Sequence, residues 1–547
     1  MKRWRASGVR CARLLRWAAG VAVVAACVVA AASQAASSAS GSASGFGASF
    51  WGGSAGDDAF SAHVRAAQAR ACARLAATER RAPRGHYAFY TRGDAWHYSG
   101  PTGWAAGYVP GGLWSCYQMT ADEWWRARAQ SRQADIGAAD ISPSALNVGA
   151  LFLPSYARGY RLTGDDRLRD TGLAAAAAMA QRYNPIVGAM LSRPRGDFNV
   201  IIDSLMKPQL LWWAVESGAP PELAEVARQH ALTTARDFLR PDGSTYHIVY
   251  YDVATGAVLR KGQSSGYSAE STWARGQAWA IHGLAAAYRE TGDQRLLVAA
   301  RRVSDWYLAN VPPDMVPYWD FQAPDVPLAP RDSSAAAIAA SGLIDMALND
   351  PDAEHRARYE SAARATLASL SSPAYSSLGA NPALLLHGTY LWASGTTDRG
   401  LAFGDAFFLE ALLRLRRLPP QAPPLAIAKA RASAGRAPAA VDGDLSTSWA
   451  SAGDQRLELR LARLRDVAAV RVALWRGDSR AAKLRIAVSQ DGRHWRPVLR
   501  TMTSGETAGY ETLGFAPYRA RWIRLCCAGT TLGLLNRIRE VQVYAEP

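Results

Sequence analysis

Cysteine is scarce in this chain: six in 547 residues, at 11, 27, 72, 116, 526 and 527. None has the spacing of a metal-ligand set, and their density is far from that of a disulfide scaffold; no metal and no cofactor is expected. Long apolar runs are also missing. The nearest to one, 17–32, is short for a membrane span; it follows Lys2, Arg3, Arg5, Arg10, Arg13 and Arg16 and precedes the small residues SQAASSASGSASG. That layout predicts a secretory signal over 1–35 with cleavage near Ala35, a secreted or periplasmic location, and no transmembrane anchor in the mature chain. An uncleaved anchor, or a lipoprotein signal ending VAAC at Cys27, is the alternative.

Nucleic-acid-binding motifs are absent too, although the formal charge is +16, so no nucleic-acid partner is expected. The charge is unevenly spread. Beyond the leader, the surplus sits after residue 424, where 20 Lys plus Arg face 11 Asp plus Glu, and the middle of the chain is nearly neutral. A basic C-terminal module suits an acidic polysaccharide or an anionic surface.

Hydrophobic residues make up 49% of the chain and charged residues 20%, the balance of a globular protein too long for one core. A Ser/Ala/Gly linker is expected at 36–57 and a Pro-rich linker at 419–430, around LPPQAPP;. They bound a large domain at 58–418 and a smaller one at 431–547. The large domain repeats itself: YRLTGDDRL (160–168) returns as YRETGDQRL (288–296), with looser copies AVESGAPPEL (214–223) and MALNDPDAEH (346–355). In each, an Ala/Leu-rich helix ends at a Gly or Asn turn and an acidic start opens the next. About six helical hairpins fit, predicting an all-α (α/α)6 barrel, with an open superhelical solenoid as the alternative. After 425, LELRLARLRDVAAVRVALWR, LRIAVSQDGRHWRPVL and IREVQVYAEP alternate with period two, which predicts an antiparallel β-sandwich;.

Candidate chemistry begins at Asp203, an acid inside the apolar and aromatic run FNVIIDSLMKPQLLWWA. Loss of water would raise its pKa and let it donate a proton; a structural acid capping a helix is the bland reading. In GSTYHIVYYD…STWARGQAWAIHG, His247 precedes Trp273, Arg275 and Trp279, and Arg275 and Trp279 share a helix face;. Aromatic faces stack on sugar rings, and Arg grips carboxylates bidentately. Singly each is more often core; together they point to a saccharide site.

VIIDSLM, DGSTYH, STWARGQAWAIHGLAAAYRETGD, VPYWDFQAPDVPLAPRDSSAAAIAASGL, LLLHGTY and GDAFFLEALLRL resemble glycoside hydrolase family 88, the unsaturated glucuronyl hydrolases, over roughly 60–418. The related unsaturated rhamnogalacturonyl hydrolases share the fold, but the DGSTYH and YWDF blocks fit the glucuronyl group better. The resemblance implies an (α/α)6 barrel without metal, acting on lyase-generated oligosaccharides that end in a 4,5-unsaturated uronate. It implies hydration of the C4=C5 vinyl ether rather than displacement at the anomeric carbon. By the same similarity Asp203 is the general acid/base, His247 lies beside it, Trp273, Arg275 and Trp279 form the binding wall, and Trp104 of TGWAAGYVPGGLW is an aromatic of the first inner loop.

Three departures stand out. Where the family carries a second catalytic Asp, this chain has Asn147, in SALNVGALFLPSYARGYRLTGD. An amide holds a hydroxyl but brings no negative charge. SSGY (264–267) puts Ser264 and Ser265 where the family often has His-Gln, and LWASGT keeps only Ser394 of a sulfate-binding Ser-x-x-Ser-x-Lys pattern, with Arg399 nearby. These leave three readings: a slow or repurposed hydrolase, a related substrate with different contacts, or a catalytically inactive polysaccharide binder. Asp135 and Asp140 are the acids in range to replace the missing one. The C-terminal blocks DGDLSTSWAS, RWIRL and IREVQVY resemble a discoidin (coagulation factor 5/8 type C) domain of the kind found in family 32 carbohydrate-binding modules. That implies an eight-stranded, jelly-roll-like, glycan-binding sandwich, with Trp449 and Trp495 as platform candidates or, more ordinarily, core.

Overall fold

The two Thr-Gly-Asp turns do the same work. Gly164 and Gly292 take φ of 67° and 65°, a left-handed conformation that stops a helix, and the next Asp caps its successor. Asp165 accepts the N–H of Arg167, and Asp293 that of Arg295. A computed structural model describes residues 54–138, 141–142, 147–194 and 196–545. The expected signal, and the expected linker up to residue 53, lie outside the described residues.

Twelve helices form the large domain among the described residues: α1 (Ser54–Arg81), α2 (Tyr108–Thr120), α3 (Glu123–Gly137), α4 (148–163), α5 (Asp166–Ala180) and α6 (Pro208–Glu216). They continue with α7 (Glu222–Phe238), α8 (Ala274–Thr291), α9 (Gln294–Asn310), α10 (Ser333–Asn349), α11 (Ala353–Ser371) and α12 (Ala402–Arg414). Helix α1 thus already covers 54–57, the end of the expected linker. The even-numbered helices are buried over most of their length, whereas the odd-numbered ones bury a single face. That contrast is what two concentric rings demand. Helix α12 packs back on α2, closing the inner ring, and α1 lies against α11 and α12 to complete the outer one. The result is a closed (α/α)6 barrel, not an open solenoid. A π-turn at Leu153–Ala157 interrupts α4 where Pro154 has no N–H to give;.

Cys72 of α1 and Cys116 of α2 form a disulfide, with Cα atoms 5.6 Å apart. Their separation of 44 residues carries no recognisable spacing.

The inner helices share one direction, so their N-termini open on one cup. Short strands in the preceding excursions line it, including a three-stranded antiparallel sheet of Phe198–Ile201, Ile248–Tyr251 and Val258–Gly262. These short strands lie in the excursions between the helices of the all-α (α/α)6 barrel expected from the sequence. Their four or five residues are too few to show a period against neighbouring helices.

The second domain has seven strands among the described residues, the first at Ile427–Ala432, inside the expected linker. Seven suffice where the resemblance implied eight, because Gln455–Leu474 and Tyr510–Thr530 pair along most of their length and bend at register shifts;. The stretch before them is not a loose tether either: Leu418 is buried and Leu425 N–H bonds to the Val543 carbonyl at 2.7 Å. Ala481 and Met502 join the barrel's own core, Lys483 Nζ meets Glu123 Oε1 at 2.6 Å, and the Thr501 hydroxyl donates to the Gln118 carbonyl at 2.9 Å. Trp449 is core, its indole N–H bonded to the Ala434 carbonyl at 2.7 Å, and Trp495 lies half-buried under Arg524.

Candidate active site

Asp203 sits in the single helical turn Ile202–Met206, between the strand Phe198–Ile201 and α6. Its neighbour Ile202 donates its N–H to the His247 carbonyl at 2.9 Å, which fixes the two segments together. The carboxylate therefore faces the imidazole: Asp203 Oδ2 lies 3.5 Å from His247 Nε2, the outer edge of hydrogen-bond range;. Ser264 N–H donates to His247 Nδ1 at 3.2 Å. With Nδ1 accepting, the proton of the neutral ring is on Nε2, directed at Asp203. His230 of α7 supports the turn from behind: its Nδ1 accepts the Met190 N–H and its Nε2 donates to the Ser204 carbonyl.

Burial alone would raise the pKa of Asp203. The contact with His247 and the charge of Arg275 outweigh it and hold the carboxyl below its ordinary value;. The raised pKa expected from the apolar sequence context is therefore wrong for the ligand-free protein. Oδ2 is buried against the imidazole, 3.5 Å from Nε2, and makes no closer hydrogen bond.

The cavity holds about 470 Å³ and is lined by Trp104, Asn147, Asp203, His247, Ser264, Ser265, Trp273, Arg275 and Tyr390, among others. Trp273 tilts against His247 with ring centres 4.8 Å apart, and Trp104 stacks on Tyr390 at 6.4 Å. Asn147 precedes α4 and donates to the Thr102 carbonyl at 3.1 Å, bracing the loop that carries Trp104. Trp104, Asn147, Asp203, Trp273 and Asp332 each stand at or just before an inner-helix start. There the free N–H groups and helix dipoles favour negative charge.

Three expected binding residues behave differently. Arg275 reaches the wall, but its guanidinium is 3% exposed and committed: it bonds Asp332 at 2.6 Å, the Thr389 carbonyl at 2.6 Å and the Tyr390 carbonyl at 2.6 Å. It anchors the segment that carries Tyr390 rather than offering a fork to a ligand. Trp279 is fully buried with its ring against Phe407, 5.1 Å between centres. Four residues along a helix is a step of about 6 Å, which carries Trp279 below the cup floor and into the core. Ser394 lies outside the cavity and spends its hydroxyl on the Leu391 carbonyl and Thr396. Asp135 is exposed on α3, away from the vacancy at 147, and Asp140 falls outside the described residues.

One lining residue went unnoticed in the sequence: Lys207, four residues after Asp203. Burial, with Arg182 adding to it and Asp203 opposing, pushes its amine down to about 7. A lone lysine in an otherwise apolar and aromatic run carries no pattern that marks it as a site residue.

A closed helical toroid whose inner-helix starts ring an aromatic cup, with one acid beside one imidazole, defines a carbohydrate-active (α/α)6 enzyme. Comparison with known families makes the assignment specific. The Glycosyl Hydrolase Family 88 model matches residues 73–372 and the F5/8 type C domain model matches 426–538. The chain belongs to glycoside hydrolase family 88. An unsaturated glucuronyl hydrolase of Bacillus sp. (strain GL1) is 37% identical over 328 residues, 58% of this chain and 87% of that protein. The unsaturated chondroitin disaccharide hydrolase of Streptococcus pyogenes serotype M1 is 34% identical over 323 residues, 57% of this chain and 81% of the relative. The crystal structure of a heparin-specific unsaturated glucuronyl hydrolase superposes with a TM-score of 0.62 at 30% identity, over 64% of this chain and 96% of that one.

Proposed function

We propose that this chain removes the 4,5-unsaturated uronate from the non-reducing end of lyase-generated oligosaccharides by hydrating its C4=C5 bond. The observation that carries the reading is the Asp203–His247 pair, 3.5 Å apart, at the wall of an aromatic cup at the inner-helix starts. Asp203 rests as a carboxylate, and the like charge of the incoming uronate raises its proton affinity so that it takes up a proton. It gives that proton to C4 of the enol ether. Water then adds at C5, returning a proton to Asp203, and the product is a hemiketal. The hemiketal opens to a ketone at C5, leaving the ring oxygen on C1 as the hydroxyl of a hemiacetal, which collapses to an aldehyde as its proton passes to the remaining sugar, released as an alcohol.

The same reading places the protein outside the cytoplasm, secreted or periplasmic. The leader pattern of 1–35 supports this, as does the Cys72–Cys116 disulfide, a bond typical of oxidising compartments;. The basic surplus of the sandwich supports an acidic polysaccharide as its partner.

The test follows ultraviolet absorbance of unsaturated disaccharides from several lyase digests. Natural enzyme should abolish it with at least one digest, and Asp203→Asn should lower the rate by about 10²–10⁴. Absorbance unchanged with every digest would remove the hydrolase and leave a polysaccharide-binding protein.

A further inference from the structure

Three cationic side chains line the catalytic cavity: Arg193, Lys207 and Arg275. Arg193 is exposed at the rim, and Arg275 is committed to Asp332 and to the 389–390 carbonyls. Lys207 is different. It is half-buried, and among the described residues its amine has no hydrogen-bond or ion-pair partner. The start of α4 packs on its stem, since a Cβ on Gly149 would lie 3.0 Å from Lys207 Cα and 3.1 Å from Cγ. Lys207 and Asn147 therefore share one corner of the cup.

We propose that Lys207 is the side chain that receives the uronate carboxylate, an assignment that rests on the hydrolase reading above. The substrate's chemistry fixes where such a cation has to be. The carboxylate is carried by C5, one bond from the C4 that Asp203 must reach, so its partner must stand beside Asp203. Lys207 directly follows the 3₁₀ turn Ile202–Met206 that carries Asp203, and both side chains line the same cavity. A carboxylate brought that close to Asp203 is repelled, and an ammonium on the far side of it offsets the repulsion. The departure at 147 belongs to the same arrangement. An acid in that corner would pair with the lysine, whereas neutral Asn147, turned toward the Thr102 carbonyl, leaves the ammonium open to substrate. Ser264 and Ser265 line the same cavity as Lys207.

Lys207→Met and Lys207→Arg, assayed on an unsulfated unsaturated uronate disaccharide and on its methyl ester, test this. Natural enzyme should favour the acid over the ester in kcat/KM by about thirtyfold or more, the loss expected when a buried charge pair is truncated. Lys207→Met should lose most of that factor on the acid, chiefly through KM, and keep its rate on the ester, whereas Lys207→Arg should retain the preference. Equal losses on both substrates, or an undiminished preference in Lys207→Met, would overturn the assignment. Natural enzyme that consumes neither sugar would end the hydrolase reading. Calorimetric binding of glucuronic acid and its methyl ester then decides on Lys207: acid-selective binding that vanishes in Lys207→Met supports it, and equal binding overturns it.

Discussion

Asp203 rests as a carboxylate because its contact with His247 and the charge of Arg275 outweigh its burial. It must therefore gain a proton when substrate arrives, and the charge of its surroundings sets how readily it does so. A second acid in the cup would help, so Asn147→Asp should raise the pKa of Asp203 by like-charge repulsion and kcat by up to about tenfold near neutral pH. It should also raise KM, since the new carboxylate would compete for Lys207. The check is the pH profile of kcat and KM for the variant beside the natural enzyme; an unmoved acid limb with unchanged KM would contradict it. Asp203, His247, Trp273, Trp104 and Ser265 were legible because each is polar or aromatic and stands just before or between the inner helices. The charge state of Asp203 was not legible, since its partners arrive from distant segments. Lys207 was masked by its apolar run.

Two inner helices and a loop meet at the Arg275 guanidinium. It ties the start of α8 to Asp332 at the start of α10 and to the carbonyls of Thr389 and Tyr390. Asp332 is completely buried, so removing the cation leaves an uncompensated charge. Arg275→Met should cost about 3–5 kcal/mol of folding stability and loosen the Tyr390 wall, read as a lower denaturant midpoint together with a higher KM. An unshifted midpoint would show that the pair does not hold these elements. The helix-ending turns were legible at this scale because left-handed glycines and capping acids leave a local signature, as at Gly164–Asp165 and Gly292–Asp293. The cup strands and the Cys72–Cys116 bridge left none, because their pairing is set by the closed ring and not by local pattern.

Across the whole molecule, six inner helices open one face of the toroid as a cup that favours anions. The opposite end is covered by the sandwich, with Met502 and Ala481 in the shared core. A cavity of about 350 Å³ lies there, lined by Arg158, Arg289, Glu410, Arg414 and Glu506 among others. The repeat period and the shift to period-two alternation made both architectures legible, but not their docking, which depends on scattered side chains such as Lys483 and Thr501. All of this positions a single acid against one double bond. The decisive measurement records, in one progress curve, the vinyl absorbance of an unsaturated disaccharide and the appearance of its released reducing sugar. Hydration requires absorbance to fall no later than the sugar appears. Sugar released while the absorbance persists would mean attack at the anomeric carbon and would contradict the account.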